Sequence, residues 1–543
     1  MIGKFQLKSV VEKANSKLSV RTAAIVLASM TLASALLGIF RDRLLNGYYL
    51  RTFPTGVDAY TAAFVIPDFM FFILVSGALA VTFIPVLNQR LAAGNKKAAW
   101  EMSSSLLNVM AIATLVASIL IIIFAEPLVR YVVGAGFDEA TRALAVSMMR
   151  VIAVNPFLFA IATVIASMQQ AVGRFVFAAL APVIYNVGII IGIVFFTGGI
   201  TIFGHEIFGG GIMGVALGVV LGAAMQLIVS VIGLIGLGFD YEFKIHWQNQ
   251  GFRKVLRLLP ARSADQGIDY VNSLVEINLA SRMAAGSVRS YQQAFHLHMM
   301  PVNLIGVAIS TAFFPKMTES LSAGRINEYR DDVRTALRTI IWIAMPVAVV
   351  AFFARGYVVS FIINGGDAVI AGVLGALVLS LFARSVFHLV TRTFYARQDT
   401  RTPLIVSIVA ISINITLAIV FSKVLGMGLY GLAYAQSIGA VLEVGILLAL
   451  LNRREKGILN IDFWHAGTKM MIASGIAGLV AYTMTKLFPL RVIDVSFWAT
   501  FPRFFLIATV SLGVYVLVSW VLRLEEVRPV LKKVKEVLGG KKK

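Results

Sequence analysis

The sequence has no cysteine, which excludes disulfides, thiolate metal sites and cysteine nucleophiles. Charge is also scarce: 14% of the residues are Asp, Glu, Lys or Arg, where soluble domains carry about 25%. There is no Gly-x-x-x-x-Gly-Lys-Ser/Thr phosphate loop, no His-Glu-x-x-His and no Gly-x-Ser-x-Gly. The triplet Gly209-Gly210-Gly211 lies in an apolar stretch without strand context. These absences argue against ATP hydrolysis and hydrolase chemistry, so the expectation is a protein that is not an enzyme and has no cofactor. Its energy would come from the membrane potential or from a coupled monovalent cation. Acidic residues are few as well, 27 against 48 Lys+Arg, giving a net charge of +21. In a soluble chain that excess would suggest nucleic acid; here the sidedness of a bilayer accounts for it, and no nucleic-acid partner is expected.

What the chain has in abundance is apolar length. Of its 543 residues, 59% are hydrophobic, and the mean hydropathy is +0.85. Runs of about 20 apolar residues, each enough to cross a hydrocarbon core of roughly 30 Å, recur from Ala23 to Leu522. Boundaries set by Arg, Lys, Gly, Pro and Asp predict fourteen spans, beginning near residues 22, 59, 103, 143, 176, 211, 255, 290, 333, 368, 402, 428, 467 and 500. An even number puts both termini on one side. With the amino terminus inside, most Lys and Arg fall in cytoplasmic segments, as the positive-inside rule requires. Lys4, Lys8, Lys13 and Lys17 alternate with apolar positions and no small-residue cleavage site follows, so residues 1–20 read as an amphipathic cytoplasmic segment.

The chain also repeats itself. Pro85 followed by Leu91-Ala92-Ala93-Gly94 recurs as Pro315 followed by Leu321-Ser322-Ala323-Gly324. The pair Gln170 and Asn186 recurs as Gln398 and Asn414, and Gly211, Gly214 and Ala216 recur as Gly428, Gly431 and Ala433. Anchors in order at nearly one offset indicate an internal repeat. Each copy would hold six spans and so enter the membrane in the same sense. The expected fold is an all-α polytopic membrane protein with two six-helix lobes, residues 21–240 and 241–455. A pair of appended helices, 456–523, and a basic cytoplasmic tail, 524–543, would follow.

Ionised side chains at bilayer depth cost at least ~2.5–3.5 kcal/mol each, which makes them the candidate site. In span 7, Arg262, Asp265, Asp269 and Glu276 share one helix face. Two readings stand for this stripe: an internal ion pair of Arg262 with Asp265 or Asp269, or a hydrated wall that binds a coupling cation. Arg384, His388 and Arg392 form a basic stripe in span 10, either a contact for a polyanion or a partner for the span 7 acids. His296 and His298, two positions apart, point in different directions on a helix, which disfavours a shared metal site. Arg41-Asp42 closes span 1 and Asp58 opens span 2.

Several segments resemble a known family. They are Gly38-Ile39-Phe40-Arg41-Asp42, Asp58-Ala59-Tyr60, Ile66-Pro67-Asp68 through Gly77-Ala78 to Phe83-Ile84-Pro85, and Ala181-Pro182-Val183-Ile184-Tyr185-Asn186. The stretch from Pro301-Val302-Asn303 to Pro315, and Phe394-Tyr395-Ala396-Arg397-Gln398-Asp399-Thr400-Arg401-Thr402-Pro403, agree as well. Together, over roughly residues 20 to 455, they resemble the bacterial lipid II flippases (MurJ, also called MviN) of the multidrug/oligosaccharidyl-lipid/polysaccharide exporter superfamily.

The resemblance implies a fourteen-helix carrier in a bacterial plasma membrane that turns an undecaprenyl-linked peptidoglycan precursor to the outer leaflet by alternating access. Its partners would be membrane lipids, that precursor and other cell-wall synthesis proteins. It implies that Arg41 meets the diphosphate, with Asp58 the matching acidic position; Arg262, Arg384 and His296 are further candidate substrate contacts, Arg262 and Arg384 as replacement charge from other helices. The chain departs from the family pattern at Ala35, Phe71, Phe72 and His296, where arginine is expected. The departures leave open a carrier of another lipid-linked oligosaccharide or of an amphipathic cation. A third reading, a non-transporting scaffold for cell-wall enzymes, keeps the fold and drops the transport.

Overall fold

The computed structural model describes residues 15–76, 82–202, 205–491 and 494–538. Within them it omits the side chains of residues 20, 21, 24, 76, 200–202, 205–208, 258–269 and 533–538. Residues 1–14 of the expected amphipathic segment lie outside the described residues. Two compact units emerge, Met1–Val288 and Arg289–Lys543.

The first unit contains helices α1 (Val20–Tyr49), α2 (Pro54–Phe71), α3 (Ile84–Ala92), α4 (Lys96–Pro127), α5 (Glu139–Ile152), α6 (Asn155–Ala171), α7 (Val176–Ile191), α8 (Met213–Ile232) and α9 (Gln250–Ala280). Their core gathers Phe83, Met102, Leu106, Val164 and Met168, with Phe252 and Val255 of α9 packed among them. Those two residues hold α9 to the first unit, whereas the sequence pattern began the second lobe at residue 241. Within the all-α fold a short antiparallel hairpin, β1 (Ile200–Ile202) with β2 (His205–Phe208), lies in the loop between α7 and α8. The β-branched residues of Ile200-Thr201-Ile202 favour extended backbone in a loop too short and polar to span. The glycine triplet at 209–211 follows directly on this hairpin, so it does have a strand before it.

The second unit opens on α10 (Ser287–Val302), which straddles the boundary. It continues through α11 (Ala308–Ser322), α12 (Ile326–Phe353), α13 (Arg355–Ser360), α14 (Ala368–Ala396), α15 (Arg401–Ile419), α16 (Gly428–Arg454), α17 (Ile461–Leu487), α18 (Phe497–Val521) and α19 (Val527–Leu538). Tyr329, Leu337, Leu389, Phe394 and Leu447 centre its core. Trp342 of α12 joins α17, α18 and the start of α19 through Met470, Tyr515 and Val527.

Among the described residues thirteen helices are long and apolar enough to cross a membrane. The remaining expected span falls on α9, whose 31 residues have the length but whose charges, Arg253, Lys254, Arg257, Arg262, Asp265, Asp269 and Glu276 among them, lower its apolarity. Outward faces are greasy: Ile25, Leu32 and Leu36 on α1 are 57–68% exposed. Water would penalise such a surface and a bilayer would not, so the chain is a multi-pass membrane protein.

The repeat is visible in the backbone. Gly94 and Gly324, both in the left-handed region at φ 75° and 70°, close α3 and α11 by donating to Leu91 and Leu321. A π-helical turn follows α2 at Phe72–Ser76 and α10 at Asn303–Val307; another follows α7 at Gly192–Phe196 and α15 at Val420–Val424. Gly214 and Gly431 do the same work in each copy. A Cβ on Gly214 would sit 2.6 Å from the Phe196 carbonyl carbon, and one on Gly431 2.7 Å from that of Phe421.

One end of the second unit is tied by ion pairs. Buried Glu455 meets Arg330 at 3.0 Å and also Arg397, and Lys316 meets Asp332 at 2.6 Å. Arg338 pairs with Glu525 and Glu526, docking the chain before α19. Asp399 accepts from the Arg401 and Thr402 backbone N–H groups at 3.1 and 3.0 Å, starting α15, and takes the Thr402 hydroxyl and Arg454 as well.

Candidate functional site

In the first unit the polar centre forms where α1 meets α7. Arg41 donates from Nη1 to Asn186 Oδ1 at 3.0 Å, and from Nε and Nη2 to Asp42 Oδ1 at 3.3 and 3.1 Å. The Asn186 amide N–H2 is in turn held by Ser34 Oγ and the Pro182 carbonyl, both at 3.1 Å. Gly38, one turn before Arg41, keeps this face clear, with Asn186 Oδ1 3.9 Å from where a Cβ would stand. The guanidinium is therefore fixed in plane, with three of its five N–H donors on Asn186 and Asp42. Its side chain is 22% exposed, and it lies within electrostatic reach of Tyr60 and Tyr185. Asp68 and Tyr60 act on Tyr185 in the same way.

From Tyr185 a ladder of half-buried rings runs through the first unit. Tyr185 meets Phe159 edge-on at 5.2 Å, Phe159 meets Phe71 at 5.6 Å, and Phe71 meets Phe72 at 5.7 Å. Phe72 then meets Tyr270 of α9 at 4.8 Å, and Phe69 meets Tyr270 at 6.0 Å. Phe71 and Phe72 are two of the positions where the resemblance expects arginine.

The other sequence candidates separate. Asp58 is 3% exposed and accepts the Gly286 backbone N–H at 2.6 Å, fastening the turn that precedes α10. Glu276 is equally buried and accepts from Asn272, one turn earlier on α9, at 3.0 Å. The side chains of Arg262, Asp265 and Asp269 lie outside the described residues. His296 is exposed while His298, 1% exposed, faces the interior and sets Nδ1 2.7 Å from the Phe295 carbonyl. The two rings diverge as their spacing predicts.

Arg384 is turned inward. Its Nη1 lies 3.5 Å from Glu443 of α16, with the two side chains 15% and 3% exposed. Ser407 donates to the same carboxylate at 2.6 Å, and Asn414 donates to Gln436 at 2.8 Å. These groups border a void of about 10 Å³, room for about one water. Arg384 thus has Glu443 of α16 as a carboxylate partner. Sequence reasoning passed over Glu443, although an acid inside the apolar run Val441-Leu442-Glu443-Val444 was a readable signal.

Comparison with known proteins bears on this arrangement. The family model described as lipid II flippase MurJ matches residues 54–502. The chain belongs to the lipid II flippase MurJ family. Within that family, the probable lipid II flippase of Bdellovibrio bacteriovorus is 25% identical over 84% of this chain and 86% of the relative. That of Thermotoga maritima is 23% identical over 93% and 97%. A solved lipid II flippase in an inward closed conformation has the same fold at TM-score 0.72, with 23% identity over 93% of this chain and all of that one. An inward-facing multidrug resistance MATE family transporter of the MOP superfamily shares the fold, at TM-score 0.66 and 17% identity, over 80% of this chain and 98% of that one.

Proposed function

We propose that the protein moves lipid II, the polyprenyl-diphosphate-linked peptidoglycan precursor, from the inner to the outer leaflet of a bacterial plasma membrane by alternating access, with both termini cytoplasmic. Membership of the MurJ family supports this reading, and the held Arg41 guanidinium is the observation that carries it. A diphosphate in a low-dielectric site needs a planar bidentate donor. Arg41 is pre-aligned by Asn186, so an arriving phosphate exchanges with Asp42 on the guanidinium without reorganising the side chain. Moving an anionic head group outward runs down an inside-negative potential, worth about 2.3 kcal/mol per charge per 100 mV. The membrane potential is then a sufficient energy source.

The test is flipping in liposomes, read as exposure of fluorescent lipid II on the far leaflet. The expected result is transport by the wild type, loss of at least about tenfold in Arg41→Ala, and partial retention in Arg41→Lys, which keeps charge but not the fork. A wild-type rate equal to that of empty liposomes refutes the reading. Phenylalanine at 71 and 72, in place of the expected arginines, favours a second reading, a carrier of another polyprenyl-linked saccharide. Transport of such a lipid but not of lipid II in the same liposomes decides for it.

A further inference from the structure

We infer that the ring ladder Tyr185, Phe159, Phe71, Phe72 and Tyr270 is the saccharide subsite of the first unit, stacking the sugar rings of the head group whose diphosphate Arg41 holds. The inference rests on the flippase reading and adds to it what this chain does with positions that have lost arginine.

Three observations converge. The rings are contiguous, each 4.8 to 5.7 Å from the next, and all are half-buried rather than sealed. The ladder also begins at the polar centre, since Tyr185 lies within electrostatic reach of Arg41, Asp68 and Tyr60. Finally, α2 gives way to a π-helical turn at Phe72. Such wide turns reset the direction of side chains and recur at functional sites.

The composition selects the ligand. Aromatic walls with a few placed polar groups are the usual make-up of small-molecule sites. The apolar faces of pyranose rings stack on aromatic faces, while their hydroxyls find acceptors in Asp68 and the tyrosines. A hydrocarbon tail would gain nothing from a carboxylate and would be penalised by it. The occupant is therefore the sugar portion of the lipid and not its prenyl chain.

The experiment uses the full chain in nanodiscs and compares the binding of lipid II with that of undecaprenyl diphosphate, which has no sugar. Phe72→Leu and Tyr270→Leu keep apolar volume and remove the ring face. Each is expected to weaken lipid II binding roughly five- to tenfold and to leave undecaprenyl diphosphate within about twofold. Soluble head-group disaccharide should compete with lipid II on the wild type and not with undecaprenyl diphosphate, a readout that needs no variant. Equal weakening of both lipids, unchanged binding of both, or absence of competition by the disaccharide overturns the subsite. A wild type that binds neither lipid overturns the flippase reading instead, and Arg41→Ala should weaken both lipids alike.

Discussion

Asn186 and Asn414 occupy equivalent places in the two copies of the repeat, yet their carboxamides meet different partners. In the first unit Asn186 offers its carbonyl to a guanidinium that remains 22% exposed. In the second, Asn414 donates to Gln436 beside an arginine already matched to a buried carboxylate. One duplicated scaffold thus pairs one arginine with its chain neighbour Asp42, 12% exposed, and the other with Glu443 of a different helix, 3% exposed. A buried charge pair of the second kind is weak evidence for stability, but breaking it is expensive, because removal of one member strands the other. The two units should therefore respond differently to loss of their arginine: the first in activity, the second in folding.

The largest expected effect on stability follows. Arg384→Met leaves Glu443 charged and 3% exposed, so it should lower stability by ~3–5 kcal/mol, seen as a large fall in the thermal midpoint of purified protein. The double variant Arg384→Met/Glu443→Leu should recover most of that loss. Arg41→Ala should move the midpoint less than Arg384→Met, because Asp42 keeps more solvent contact than Glu443, while lowering flipping at least about tenfold. If Arg384→Met melts like wild type but transports nothing, then Arg384 is presented to substrate after all and the contrast between the units fails.

Much of this was legible in the sequence for physical reasons. Spans are long, apolar and bounded by charge, so their number and edges follow from hydropathy. The repeat shows because Gly94 and Gly324, or Gly214 and Gly431, answer backbone demands that only glycine meets. The partners of each charge were another matter. Asn186 is separated from Arg41 by most of the first lobe and Glu443 from Arg384 by the whole of α15, and no periodicity within one span encodes such a pairing. Asp58 read as a substrate contact from motif alone, while its geometry makes it an acceptor for a backbone turn. Phe71 and Phe72 registered as missing arginines, and only the fold showed the rings of Phe159 and Tyr270 beside them.

The next effect in size tests whether the repeat is mechanical as well as visible. At Gly214 a Cβ would lie 2.6 Å from the Phe196 carbonyl carbon, and at Gly431 2.7 Å from the Phe421 carbonyl carbon. Both neighbours are backbone and cannot swing aside. Gly214→Ala and Gly431→Ala should each lower stability by ~1–3 kcal/mol, the usual cost of overpacking. A marked effect in one unit with none in the other would mean that the copies have diverged in how tightly their helices cross.

The smallest effect belongs to the second unit. Burial by itself would raise the Asp399 pKa, but the backbone and hydroxyl bonds from Thr402 and the charge of Arg454 outweigh it and hold the carboxyl down at about 2. A folded pKa below the ordinary carboxylate value means stability that is present above pH ~4 and lost as pH falls from there towards 2. With its side chain 21% exposed and Arg454 45% exposed, solvent screening limits the contribution to ~1 kcal/mol. Thermal midpoints measured between pH 5 and 3 should therefore fall less steeply in Asp399→Asn than in wild type. That variant should also start lower at neutral pH, since the amide loses Arg454 and half of its role at the start of α15. In the first unit the Asp138 carboxyl is held below its usual range by bonds from Thr141 rather than by an arginine, so Asp138→Asn should flatten the acid limb of the melting profile less than Asp399→Asn does. Equal flattening by both substitutions would place the acid sensitivity elsewhere in the fold.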